Sequence, residues 1–324
     1  MDSQRRKVKV ALLSVVSNST LVALKLTFGL LIGSVSVVSE AIHSGVDLVA
    51  AIIALFSVRT SSLPADKDHP FGHGKIENIS GTIEALLIFL AAGWIIFEAV
   101  KKLLHSEPIG SVGWGVGVML ISAIVNIVVS ERLFSVGKQT DSIALQADAW
   151  HLRTDVYTSA GVMVSLALIW IGHRVFPEVY FDWLDPVAAI GVALLIIKAA
   201  YDLTKQSARD LMDVTLPEEE EAWIRQVVIE HRPVIHGFHQ LRTRKAGHFR
   251  FVEFHVKLDP QMSVEASHRI TEDLSGCIEK RFASTSVTIH TEPCDGDCVL
   301  KCLEGCLLPE NERNVIQQKR RKIF

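Results

Sequence analysis

Ala147-Asp148-Ala149-Trp150-His151-Leu152-Arg153-Thr154-Asp155 sits inside the mostly apolar run 142–172, and its reading decides the fold. A His and an Asp four residues apart share a helix face, roughly 40° apart about the axis. The same spacing recurs in the apolar run 36–58, as His43 and Asp47. Ionisable groups inside membrane-length apolar runs are costly and mark ion or proton pathways. A lone buried His or Asp is usually a satisfied core group, which explains two identical pairs poorly. Two such helices facing each other would offer two imidazoles and two carboxylates, a tetrahedral donor set for zinc.

Around that stretch the composition is that of a membrane protein. Hydrophobic residues make up 49% of 324 and the mean hydropathy is +0.30. Residues 8–205 are mostly apolar, whereas 206–324 read as a soluble domain. Six runs, 8–32, 36–58, 79–101, 112–131, 142–172 and 184–205, match the ~20 residues of a bilayer crossing. The first follows Arg5, Arg6 and Lys7; it is too long for a signal-peptide core and lacks a small-residue cleavage signature, so a helix is expected. The pair Gly33-Ser34 is expected to join spans one and two tightly. A net charge of −3 gives no reason to expect a nucleic-acid partner. The expected organisation is a six-helix transmembrane domain over 1–208, a soluble α+β domain over 209–292 and a Cys-rich, basic tail over 293–324.

Six spans put both termini on one side. Arg5, Arg6, Lys7 and Lys9 precede span one, Arg59, Lys67 and Lys75 follow span two, and Arg132 and Lys138 follow span four. Lys101, Lys102 and Arg174 form a weaker opposite set, so the termini are expected in the cytoplasm. Trp114, Trp170 and Trp183 fall near the outer ends, as an aromatic belt would. Counted inward at 1.5 Å per residue, His43 and Asp47 lie about 10–17 Å deep, and His151 and Asp155 about 13–20 Å deep. Both pairs then reach the middle of a core roughly 30 Å thick, the level an alternating-access site requires. Lys25 and Glu40, at similar depth, are expected to form a structural ion pair; Glu84 and Glu98 receive no role. Asp148, three residues before His151, is left as a neighbour, an entry ligand or a wet group near the inner end.

The HxxxD pair in span two, the stretch 64–75 (PADKDHPFGHGK) and ADAWHLRTD together resemble the cation diffusion facilitator family, of the bacterial zinc-transporting type, over about residues 8–292. The resemblance implies proton-coupled export of a divalent metal through the inner membrane by a homodimer, with a cytoplasmic, metallochaperone-like, ferredoxin-like domain after span six. Its zinc members carry His in both pairs. Residues 214–292 alternate helical and strand patterns in an αββαβ order that fits.

Three further clusters stand out. Asp66, His69 and His73, with x2 and x3 gaps in a glycine-containing loop, can bind zinc with water as a fourth ligand; similar family members use these positions as a second metal site. The resemblance also carries His239, His255, His268, His290 and Glu292 to the family's cytoplasmic zinc positions, Glu292 standing where Asp is more familiar, and pairs Lys75 with Asp213 between the two domains. His231, His236 and His248 are expected at the surface. Beyond the resemblance, Cys294, Cys298, Cys302 and Cys306 recur every four residues. Structural disulfides are not expected in a reducing cytosol, so a soft-metal or redox role and spare thiols both stay open. Lys319 to Lys322 is expected as a disordered end that could touch anionic lipid.

A Zn²⁺/H⁺ antiporter is the function these residues support best. Two His and two Asp favour zinc over manganese on softness, and over Mg²⁺ and Ca²⁺ on coordination number. Fe²⁺, Co²⁺, Cd²⁺ and Mn²⁺ stay open, as does a membrane metal sensor. A metalloenzyme is disfavoured: there is no HExxH and no obvious Glu base, and four protein ligands leave no position for an activated water.

Overall fold

A computed structural model of the chain describes residues 2–32, 35–104, 115–175 and 183–321. It divides into two compact units, Met1–Arg209 and Asp210–Phe324.

The first unit is helical: α1 Asp2–Ile32, α2 Val35–Thr60, α3 Lys75–Leu104, α4 Gly115–Gln139, α5 Ile143–Val175 and α6 Leu184–Leu211. The helices outrun their apolar runs: α1 starts at Asp2 and α3 at Lys75. Lys, Arg, Glu and Gln are good helix formers, so the backbone continues beyond the hydrocarbon-compatible stretch. Among the described residues, α1, α2, α3, α4 and α6 contain stretches long and apolar enough to cross a membrane. Asp148, His151, Arg153 and Asp155 stand in the first half of α5, and its second half is apolar.

Burial in this unit is the reverse of a water-soluble protein's. Leu31, Phe56, Leu90, Trp94 and Leu195 point outward, whereas Ser14, Asn18, Asp47, Glu84, Asp148 and His151 are buried. Lipid is as apolar as leucine, so helices here associate through small residues and interhelical hydrogen bonds. Ala50 and Ala54 on α2, Ala85 and Ala92 on α3, and Ala147 and Ala149 on α5 are fully buried and let the backbones approach. α5 packs on α2, α3 and α4, which centres its polar stretch.

The second unit runs α7 Glu218–Glu230, β1 Gly237–Ala246, β2 Phe249–Leu258, α8 Val264–Arg281, β3 Thr285–Pro293, α9 Leu300–Glu304 and α10 Glu310–Arg321. Four acidic residues open α7, where the helix dipole favours negative charge. Ser263 caps α8 by accepting from Ala266 N. The sheet order is β1-β2-β3, with β1/β2 antiparallel and β2/β3 parallel. Side chains alternate across a strand. On β2, Val252, Phe254, Val256 and Leu258 enter the core with Ile224, Leu274 and Ile278, so His255 and Lys257 take the opposite face. A register shift between His239 and Arg242, with Gln240 at φ +56°, lets β1 keep His239 beside His255 and still bury Thr243.

Of the segment expected to be disordered, Lys319 to Arg321 form the last turn of α10, and Lys322 lies outside the described residues. His231, His236 and His248 are partly exposed: His231 Nδ1 meets Val227 O at 2.8 Å, and the rings of His248 and Phe249 have centres 4.3 Å apart. The 33–34 turn, the side chain of Glu40, Trp114 and the side chain of Trp170 lie outside the described residues. Lys25 Nζ donates to Ser44 Oγ at 2.8 Å.

Candidate metal centres

α2 and α5 bring the two His/Asp pairs together crosswise. His151 Nε2 lies 3.1 Å from Asp47 Oδ1, and His43 Nε2 lies 3.6 Å from Asp155 Oδ1. His43, Asp47 and Asp155 each present one ligand atom within 4.8 Å of the others. Asp47 and His151 are buried, Asp155 is half-buried and His43 is the exposed member. Two cavities meet here. One of about 250 Å³ is lined by His43, Thr154, Asp155, Thr158 and Asp185. Another of about 160 Å³ is lined by Lys25, His43, Ser44, Asp47, Asn126 and Asp155. His151 Nδ1 and Asp155 Oδ2 are buried without a hydrogen-bond partner among the described residues. Such orphans are rare in stable cores and suit a site whose ligand supplies the missing contact.

The loop between α2 and α3 gathers Asp66, His69 and His73. Asp66 Oδ1 lies 3.2 Å from His69 Nδ1, Asp66 Oδ2 lies 3.3 Å from His73 Nε2, and the two rings stack at 4.3 Å. Gly72 at φ +80° makes the turn that returns His73 to the cluster. The His69 backbone N–H, donating to Asp66 Oδ1 at 2.7 Å, holds that carboxyl below the usual carboxylate range, helped by the His69 side chain and the Asp68 N–H. The Asp66 carboxylate is therefore ready to bind a cation.

In the second unit the register places His239, His255 and His290 in one row across the sheet. His239 and His255 ring centres are 5.2 Å apart, and His255 and His290 4.7 Å apart. Glu292, two residues beyond His290 on the same face, meets His239 Nε2 at 3.1 Å and His255 Nδ1 at 2.7 Å. His239, His255 and Glu292 form a compact ligand group. Burial alone would raise the Glu292 pKa; hydrogen bonds from His255, Lys257 and His239 outweigh it and bring it to about 2. His268 is not brought to this group: it is exposed on α8 and pairs with Glu272 one turn on, at 3.3 Å.

Some participants were not singled out from sequence. Lys257 donates to Glu292 Oε2 at 3.0 Å; the two-residue step from His255 was the available signal. Asp185, at the start of α6, accepts from Ser165 Oγ at 2.8 Å and shares a cavity with His43 and Asp155. An acid opening a helix reads equally as a dipole partner. Glu77 is fully buried, taking hydrogen bonds from Lys7 (3.2 Å), Ser61 (2.8 Å) and Ser142 (2.6 Å). Asp148, left from sequence as a neighbour, an entry ligand or a wet group, is fully buried.

Comparison with known proteins agrees with this architecture. The domain described as cation efflux transmembrane domain matches residues 11–212, and the cytoplasmic domain of cation efflux proteins matches 216–294. The uncharacterized transporter sll1263 of Synechocystis sp. is 35% identical over 283 residues, covering 87% of this chain and 89% of that protein. The cation-efflux pump FieF of Yersinia pestis is 32% identical over 296 residues, covering 91% and 96%. The metal-bound C-terminal domain of the CzcD transporter from Thermotoga maritima is 31% identical, covering 24% of this chain and 94% of that one, with a TM-score of 0.22. With family domains across both units and full-length relatives that are efflux pumps, this chain belongs to the cation diffusion facilitator family: it is a multi-pass membrane protein and a cation efflux transporter.

Proposed function

We propose that the chain is a Zn²⁺/H⁺ antiporter whose transport site is His43, Asp47, His151 and Asp155. The observation that carries this reading is the crosswise approach of the two pairs from α2 and α5. α5 then serves as a sixth span, whose polar half faces other helices rather than lipid, as its buried Asp148 and His151 require. Both termini lie in the cytoplasm and the chain resides in the inner membrane as a homodimer.

The chemistry follows from competition. Metal ligands must be deprotonated, so metal and protons exclude each other. At 3.1 Å, the His151–Asp47 contact holds a proton between imidazole and carboxylate. A divalent cation entering between the pairs takes over that role. Two carboxylates balance either one Zn²⁺ or two protons, so exchange leaves the buried site neutral in both states and avoids the cost of an unpaired charge. The cavity shared with Asp185 gives this exchange an aqueous mouth on one side, and the cavity lined by Lys25 and Asn126 gives another. Two imidazoles and two carboxylates suit zinc's four-coordinate preference better than an oxygen-seeking cation's.

The loop group Asp66, His69 and His73 would bind cytoplasmic metal before transport. His239, His255 and Glu292 would hold a regulatory zinc, with His290 in reach along the row. Lys257 occupies the Glu292 oxygen that such an ion would take, so metal binding there displaces an ammonium.

Zinc flux in proteoliposomes under an imposed pH gradient tests the reading. Uptake that follows the gradient and needs both Asp47 and Asp155 supports it. Uptake indifferent to the gradient removes the proton; uptake of another divalent ion alone removes zinc.

A further inference from the structure

The tail beyond the family's cytoplasmic domain folds onto the sheet. Cys294 N donates to Leu258 O at 2.7 Å, Phe238 N to Gly305 O at 2.9 Å and Leu307 N to His236 O at 2.8 Å, so residues 305–307 run along the β1 edge. Gly305 permits that approach: a Cβ there would stand 1.7 Å from Phe238 O. The short helix α9 fits between Cys298 and Cys306 and carries Cys302, which keeps the x3 spacing on one side of the turn. As a result Cys294, Cys298, Cys302 and Cys306 line one void of about 10 Å³. That is about the space of a single water or bare ion. All four thiols are free and half-buried. His236 lines the same void, its Nδ1 buried without a hydrogen-bond partner among the described residues.

We propose that the four tail cysteines, with His236 in reserve, form a separate thiolate site for a soft or borderline divalent ion, zinc or cadmium. Two features carry it. Four free cysteines within 13 residues of chain line one void of ion size. Thiolate donors select such ions over Mg²⁺, Ca²⁺ and Mn²⁺. Lys257 and Arg313 line the void together with Asp295 and Asp297, so its fixed side-chain charges balance before any thiol ionises. A tetrahedral ion with 2.3 Å Zn–S bonds would require the sulfurs roughly 3.8 Å apart. Lys257 also donates to Glu292, so this site and the His239–His255–Glu292 group share one ammonium. The proposal stands apart from the transport reading.

The test uses the reduced full-length protein in detergent. Alkylation of each cysteine is followed by peptide mass spectrometry, with and without Cd²⁺, with exposed Cys277 as internal reference. Cadmium should slow labelling of the four tail thiols at least tenfold and leave Cys277 unchanged. It should also raise a Cd–thiolate ultraviolet charge-transfer band that Cys298→Ser/Cys302→Ser abolishes while His239→Ala does not. Tail thiols that label equally fast with cadmium, or a band that persists in the double variant, would overturn the proposal. The labelling of the wild-type chain decides even if the double variant misfolds.

Discussion

His151 on α5 and Asp47 on α2, 104 residues apart in sequence, meet at 3.1 Å in the buried centre of the helical unit. Each also stands one helical turn from the other pair's partner, so loss of either carboxylate unbalances all four groups. Asp47→Ala and Asp155→Ala should each lower zinc flux by at least tenfold, a loss of about 1.4 kcal/mol or more, with the protein still monodisperse. Asp47→Glu should retain some flux, since the charge stays and only the reach changes. Proteoliposome uptake under a pH gradient measures both.

Lys7 and Glu77 form an ion pair at 3.2 Å with both side chains almost wholly buried. Removing one partner of such a pair costs about 3–5 kcal/mol, because the other charge is left in a poor solvent. Lys7→Met should therefore lower the melting temperature markedly, and Lys7→Met/Glu77→Gln should recover part of the loss. A double variant no better than Lys7→Met would contradict this account.

Gly81 on α3 faces Ile143 and Ser207. A Cβ there would lie 2.8 Å from Ile143 Cγ2 and 2.7 Å from Ser207 Oγ. Helix propensity favours Ala over Gly by about 1 kcal/mol, while overpacking costs about 1–3 kcal/mol. Ile143 is fully buried and cannot yield, so overpacking wins. Gly81→Ala should be destabilising and Gly81→Leu more so, read by thermal unfolding in detergent.

Glu292 has its pKa depressed to about 2 from an ordinary 4.5. A depressed carboxyl contributes stability that is fully present above its unfolded value and lost as pH falls through the folded one. The second unit should thus lose stability between about pH 4.5 and 2, and Glu292→Gln should flatten that decline. Melting temperatures at stepped pH for the two proteins give the comparison.

Asp66 is held below the ordinary carboxylate range by the His69 N–H. At neutral pH its charge is constant, so the carboxylate is open to a cation without a proton to displace. Asp66→Asn should lower the zinc stoichiometry by one per chain in calorimetry and leave binding at the other sites unchanged.

Much of the site could be read from the chain because its signals are local. HxxxD within one helix fixes a shared face, and a shared depth follows from counting residues. His239, His255, His290 and Glu292 came from the family resemblance, and the strand register then set the three histidines in one row. Lys7 with Glu77, and His236 with the tail thiols, carry no local signature: their partners lie on other elements, and an ionisable residue near a span end reads as a wet group until its neighbours are known. His268 shows the opposite case. Its sequence context joined it to the other histidines, but α8 turns it to solvent.

The sequence by itself determined the apolar helices, the donor types and the faces on which they stand, because periodicity and side-chain chemistry are properties of a segment. Tertiary structure alone decided which donors meet. It crossed His151 with Asp47 and His43 with Asp155, buried Glu77 against Lys7, and wrapped the thiols around one void. Those outcomes depend on how helices with small residues at their contacts approach one another and on how the tail docks along a strand edge, energies that belong to pairs of segments rather than to any one of them.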